Sequence, residues 1–196
     1  MLLCFGDSNT WGFNPAGGRY AADIRWPNCL AALLHCSLQA EGKPGRTLLA
    51  ERPEQGLCSG LREWQQALAQ QPEFIVLALG INDLAAGSTA QQAVEALAHY
   101  LQLWQQLSPA SRLVLLTPSP LGQLQAGWQT LFAGTQTEAQ QLPALWLAAA
   151  KQWHLPAVDP TTLLLSLPDG LHWCAESHGQ VAQALAHAFE RRSLTL

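Results

Sequence analysis

The chain lacks the marks of export. MLLCFGDS at residues 1–8 runs straight into polar turn residues, with no basic stretch leading into an apolar leader core, so a cytoplasmic protein is expected. Long apolar runs are missing too, and none approaches the roughly eighteen residues of a membrane span. Charge is scarce: 12% of residues are charged, and 10 Lys and Arg against 14 Asp and Glu leave a net charge of −4. The absence of a basic cluster argues against non-specific nucleic-acid binding and against an electrostatic membrane anchor. The cysteines (Cys4, Cys29, Cys36, Cys58 and Cys174) are odd in number and form no CxxC pair, which argues against a disulfide framework or a zinc knuckle. Reduced thiols are the expectation. No His, Cys and Asp cluster has ligand spacing, and no GxGxxG or GxxxxGK[ST] loop follows the first strand. Neither a metal nor another cofactor is expected.

What is present is a large core. The apolar fraction is 48% over 196 residues. A chain of this length buries roughly 70% of its unfolded surface without a staple. With no repeat and no low-complexity linker, residues 1–196 read as one domain.

Short strand-like runs alternate with longer helical ones. Leu2 to Phe5 is a strand closed by Gly6-Asp7-Ser8. Ala22 to Gln39 has helical spacing, with Pro27 in its first turn. Arg46 to Ala50 reads as a weak strand, and Leu57 to Gln70 as a helix. Phe74 to Leu79 (FIVLAL) is continuously apolar, as a central parallel strand covered on both faces should be. Thr89 to Leu107 is a long amphipathic helix, and Leu113 to Thr117 is a second buried strand. Ser119 to Gln136 is a long excursion. Thr137 to Trp153 is helical, Leu155 to Val158 is a short strand, and Ala175 to Arg192 is the last helix. This alternation predicts an α/β domain with a parallel sheet. In such sheets the reactive crevice lies beyond the carboxyl ends of the strands.

Polar clusters fall at that end. The first strand runs into Gly6-Asp7-Ser8-Asn9, and FIVLAL runs into Gly80-Ile81-Asn82-Asp83. Asp169-Gly170-Leu171-His172 precedes the last helix. Together they supply a hydroxyl, a carboxamide, an imidazole and a carboxylate. A serine hydroxyl needs a base within hydrogen-bond reach before it can act as a nucleophile. An imidazole suits that task, and a carboxylate on its other nitrogen fixes the tautomer. Asp and His three residues apart can meet within one tight turn, which Gly170 permits. An oxyanion needs fixed donors: the Ser8 N–H, the Asn82 amide and a glycine N–H from the loop after the second strand.

At these residues the chain resembles the GDSL or SGNH hydrolases. GDSN at 6–9 is similar to their nucleophile block, Pro44-Gly45-Arg46-Thr47 to the glycine block, GIND at 80–83 to the GxND block and DGLH at 169–172 to the DxxH block. The resemblance implies a three-layer α/β/α sandwich, flavodoxin-like, around a central parallel sheet. It implies Ser8 as nucleophile, His172 as base and Asp169 as the acid that orients it. It also implies an oxyanion hole of Ser8 N–H, Gly45 N–H and Asn82. GDSNTWGF followed by RYAADIRWPNCLAALL resembles the arylesterase and acyltransferase branch, whose members hydrolyse short-chain acyl esters, can pass the acyl group on, and in several cases form homo-oligomers. A small acyl ester is then the expected partner. Asn9 departs from the Leu of GDSL, and Gly42 and Gly56 stay open as alternatives to Gly45.

Other residues compete for these roles. His178 is a rival base, though it belongs to the last helix, and Asp159 is an alternative acid. Asp7 and Asp83 read as local hydrogen-bond partners that hold their loops. Trp11 and Trp173 flank the reactive blocks and, with Leu121, are expected as pocket walls. Trp128 lies in the excursion, where it fits either the acyl pocket or an oligomer contact. A carbohydrate deacetylase or a thioesterase would use the same residues. A silent binding module of this fold would have no need of all four intact blocks.

Overall fold

The computed structural model describes residues 1–191. In chain order its strands and α-helices are β1 (Leu2–Gly6), α1 (Ser8–Trp11), α2 (Trp26–Leu33), β2 (Leu38–Gly42), β3 (Arg46–Thr47), β4 (Cys58–Ser59), α3 (Leu61–Leu68), β5 (Phe74–Ala78), α4 (Ile81–Ala85), α5 (Ala90–Leu107), β6 (Arg112–Leu116), α6 (Ala126–Gln129), α7 (Gln136–Gln152), β7 (Ala157–Val158) and α8 (Ala175–Arg191). The main sheet has the order β2-β1-β5-β6-β7, and every pair in it is parallel. Counted along the chain, that is the doubly wound order 2-1-3-4-5, whose switch point lies between β1 and β5.

Alternate strand residues face opposite layers. Leu3, Phe5, Ile75, Leu77, Leu113 and Leu115 join one core with Trp64 of α3, Tyr100 of α5 and Trp146 of α7. Leu2, Cys4, Val76, Val114 and Leu116 join the other with Trp26 of α2 and Val181, Leu185 and Phe189 of α8. The result is the expected α/β/α sandwich. Each fully buried Leu or Val contributes about 1.5–3 kcal/mol relative to exposure, so both sheet faces are firmly held.

Several element boundaries differ from the sequence expectation. The helix expected over Ala22 to Gln39 is shorter, and its last residues belong to edge strand β2, whose Leu38 pairs with Leu2. LQAEG is only half-buried or exposed, because an edge strand needs no continuous apolar run. The weak strand at Arg46 to Ala50 reduces to Arg46–Thr47, which pairs with Cys58–Ser59 outside the main sheet. That pairing delays the next helix from Leu57 to Leu61. Thr89 caps α5 through a capping box with Gln92. Arg192, the expected end of the last helix, lies outside the described residues.

Candidate active site

The first side of the site is the β1–α1 turn. Asp7 caps α1 by accepting the Asn9 N–H at 3.0 Å, and Ser8 opens the helix, where a backbone N–H has no intrahelical acceptor. Burial pushes the Asp7 carboxyl up to about 6, against the pull of the Asn9 N–H and the Arg46 charge.

The second side follows β5. Asn82 sits on α4, fully buried, and its amide donates one N–H to the Arg46 carbonyl at 3.0 Å. The other amide N–H is left for the cavity. Asp83, next along, accepts the Leu48 N–H at 2.9 Å and the Leu49 N–H at 3.3 Å, which holds the loop after β3. Burial pushes its carboxyl up to about 6, opposed by those backbone donors. Gly45 precedes that loop at φ +74°, and its N–H has no acceptor among the described backbone bonds.

The third side is the turn at 169–172. Asp169 Oδ1 accepts the N–H of His172 at 2.7 Å and of Leu171 at 3.0 Å, which closes the turn on itself. Its Oδ2 lies 2.7 Å from His172 Nδ1. His172 Nε2 lies 2.9 Å from Ser8 Oγ, across 164 residues of sequence. Hydroxyl, imidazole and carboxylate thus form one hydrogen-bonded line, all buried. Burial lowers the His172 pKa below the ordinary imidazole value, and the Asp169 carboxylate opposes it. Burial alone would raise Asp169, but bonds from the His172 ring and from the His172 and Leu171 N–H groups leave it below the usual carboxylate value. At neutral pH the imidazole is therefore uncharged and ready to accept a proton.

A cavity of about 320 Å³ opens over this line. Ser8, Gly45, Asn82 and His172 lie on it, walled by Phe13, Leu57, Trp128, Leu131, Phe132 and Leu171. Gly56 also borders it, but its N–H is spent on the Pro53 carbonyl at 3.0 Å. Gly42 belongs to β2, away from the cavity lining.

The expected walls Trp11, Trp173 and Leu121 do not line it. Trp11 ends α1 under the Arg19 guanidinium. Trp173 is buried with its indole N–H on Ser119 Oγ at 3.1 Å, beside a separate cavity of about 30 Å³. Leu121 packs into the core, because the excursion folds inward there and Gln136 holds its carbonyl. The walls actually used, Phe13, Leu131 and Phe132, carry no sequence signal beyond lying close behind a block or within the excursion.

The rivals are placed elsewhere. His178 is fully buried on α8, where it accepts the Trp26 N–H at 3.3 Å and burial pushes its pKa down to about 4. Asp159 accepts the Thr161 N–H and caps a short 3-10 turn. Among the described residues, no cluster of three His, Cys, Asp or Glu could hold a metal, and no helix is long and apolar enough to cross a membrane.

A three-layer α/β sandwich with these groups at the carboxyl ends of its strands defines a hydrolase of acyl compounds. More particularly, the chain belongs to the GDSL-like lipase/acylhydrolase family, whose sequence model matches residues 4–188. Among solved structures it is similar to a carbohydrate acetylesterase family member from Sinorhizobium meliloti, with 27% identity, a TM-score of 0.86 and coverage of 100% of this chain and 99% of that one. It is also similar to the native M. smegmatis aryl esterase, with 26% identity, a TM-score of 0.86 and 98% of each chain covered. Among curated proteins, no sequence matches.

Proposed function

We propose that this protein hydrolyses small acyl esters through an acyl-enzyme on Ser8. The observation that carries the reading is the 2.9 Å contact of Ser8 Oγ with His172 Nε2 on the floor of an apolar cavity. Ser8 Oγ attacks the ester carbonyl carbon as its proton passes to His172 Nε2. The carbonyl oxygen becomes an oxyanion between the Ser8 N–H, the Gly45 N–H and the Asn82 amide. Asp169 keeps the Nδ1–H tautomer and stabilises the imidazolium. Collapse of the tetrahedral intermediate breaks the bond to the leaving alcohol, which takes the proton from His172. A water then gives its proton to His172 and attacks the acyl carbon, and the same steps release the acid and restore Ser8. An alcohol in place of that water would give acyl transfer.

The cavity sits at the small end of ligand pockets, which run from roughly 300 to 1,000 Å³. Its aromatic and aliphatic walls suit a short acyl or aryl group. Likeness to a carbohydrate acetylesterase supports a second reading, removal of acetyl groups from sugars by the same residues. A panel of p-nitrophenyl acetate, longer p-nitrophenyl esters, acetylated sugars and acyl-CoA thioesters separates these. The founding test is Ser8→Ala with p-nitrophenyl acetate: near-complete loss of hydrolysis is expected, and a wild-type rate would sink the assignment.

The same proposal places residues 1–196 in one working domain in the cytoplasm, where the five unpaired cysteines would stay reduced. Homo-oligomer formation belongs to it as well, and sedimentation of the wild-type protein tests it.

A further inference from the structure

We infer that Trp128 is a positioning residue of this reaction, its indole N–H holding the Asp169 carboxylate while its ring walls the acyl cavity. The inference rests on the Ser8–His172–Asp169 reading above. Trp128 Nε1 donates to Asp169 Oδ2 at 2.9 Å, onto the same oxygen that receives His172 Nδ1 at 2.7 Å. With the Leu171 and His172 N–H groups on Oδ1, the carboxylate has four donors, about as many as its lone pairs accept. No other side chain besides His172 donates to it among the described contacts.

The indole also fixes the imidazole. Its ring meets His172 edge-on at 5.1 Å, while Phe13 stacks on the imidazole at 4.0 Å. Phe13 and Trp128 touch each other edge-on at 5.8 Å, which closes two sides around the ring.

The excursion that carries Trp128 is bound to the turn it serves. The Gly122 N–H donates to the Gly170 carbonyl at 2.8 Å, and the Gln125 N–H to the Asp169 carbonyl at 3.0 Å. The Gln125 side chain reaches the Pro168 carbonyl at 3.2 Å. A Cβ on Gly170 would meet the Gln123 carbonyl oxygen at 2.4 Å, so only glycine lets the two segments approach this closely. Residues 119–136 thus brace the acid, and Trp128 is the point where brace, acid and cavity wall coincide.

The electrostatic consequence has a sign. The indole N–H takes up part of the Asp169 charge that would otherwise stabilise the His172 imidazolium. Removing it strengthens that stabilisation, so the base stays protonated to higher pH. Other titratable groups surround the pair. Tyr20, near Cys174 and Glu176, feels the Asp169 charge. Asp7 adjoins Ser8, Asp83 adjoins Asn82, and His178 lies across the Trp173 ring. A Trp128→Phe variant keeps all of these titratable groups and removes the indole N–H together with part of the ring that packs on His172 and Phe13, so the position of the pH limb, rather than kcat or KM, reports on the N–H.

The test is the pH profile of kcat/KM for p-nitrophenyl acetate. Trp128→Phe is expected to lower kcat roughly tenfold, the scale of one hydrogen bond to a charged group, and to move the acidic limb to higher pH. A limb at the wild-type position, whatever happens to kcat or KM, overturns the inference and leaves Trp128 as packing. Should the variant fail to fold, wild-type protein labelled with ¹⁵N-tryptophan decides. The Trp128 indole N–H, assigned by its Overhauser contact with Phe13, is expected to shift at the midpoint of the catalytic limb, and a signal that stays still refutes the inference. Fluorophosphonate labelling of Ser8 in wild type reports separately on the underlying reading.

Discussion

Asn9 Oδ1 accepts the Trp173 N–H at 3.1 Å, so the residue after Ser8 holds the residue after His172. The same side chain donates through Nδ2 to the Leu171 carbonyl at 3.4 Å, on the other side of His172. Asn9 therefore spans the imidazole-bearing segment with both ends of one amide. This gives a physical role to the departure from the GDSL tetrapeptide: a leucine here could make neither bond.

Asn9→Leu is accordingly expected to weaken the site although it restores the familiar tetrapeptide. Loss of these bonds should cost roughly 1–2 kcal/mol of stability, with kcat falling as the Ser8–His172 contact loosens. Urea unfolding and p-nitrophenyl acetate kinetics measure the two effects. A variant as stable and as fast as wild type would show the amide to be dispensable.

Asn82 has one N–H on the Arg46 carbonyl and one facing the cavity. Asn82→Ala removes the proposed oxyanion donor and should lower kcat by roughly 10²–10³ while KM moves little. A rise in KM with unchanged kcat would mean that the amide binds the ground state instead.

The polar groups that the structure brings together were legible in the sequence, while much of their housing was not. Ser8, Asn82, Asp169 and His172 sit in short polar blocks beside strands or turns, where chemistry restricts the residue type. The central strands were legible because burial on both faces demands unbroken apolar runs such as FIVLAL. Edge strand β2 has no such demand, and LQAEG carries no period strong enough to separate it from the preceding helix. The cavity walls were hidden for another reason. Phe13, Leu131 and Phe132 sit in or beside irregular segments whose positions depend on bonds to distant turns, as Gln125 N–H to the Asp169 carbonyl illustrates, while Trp128 was legible only as one of two alternatives, acyl pocket or oligomer contact. Trp173 follows His172 directly, yet the turn swings its indole toward Ser119 rather than into the reaction cavity.

Asp83 gives a pH dependence of stability. Burial raises its folded pKa to about 6, above its unfolded value of about 3.9. The folded state therefore binds more protons than the unfolded state between those values, and stability falls as pH rises from about 4 through about 6. Asp83→Asn cannot ionise, yet its side-chain oxygen can still accept the Leu48 N–H. Its melting temperature is expected to change less across that interval than wild type does, the difference corresponding to a stability on the order of 3 kcal/mol. Differential scanning fluorimetry at closely spaced pH values checks this. Parallel curves would show that Asp83 does not titrate in that range.

Gly45 and Gly56 share the same φ of +74°, yet their surroundings differ. A Cβ on Gly45 would lie 2.2 Å from the Gly56 carbonyl oxygen, whereas one on Gly56 would meet nothing within 4 Å. Both alanine substitutions carry the left-handed backbone strain of about 1–2 kcal/mol, and only Gly45→Ala must also push two backbone segments apart. That displacement moves the Gly45 N–H out of the proposed oxyanion position, so kcat should fall by roughly 10². Gly56→Ala should lose stability by the strain alone and keep kcat near wild type. The comparison separates donor from neighbour because the strain is common to both. If Gly56→Ala proved the inactive variant and Gly45→Ala stayed active, the donor would belong to the Gly56 side of the cavity.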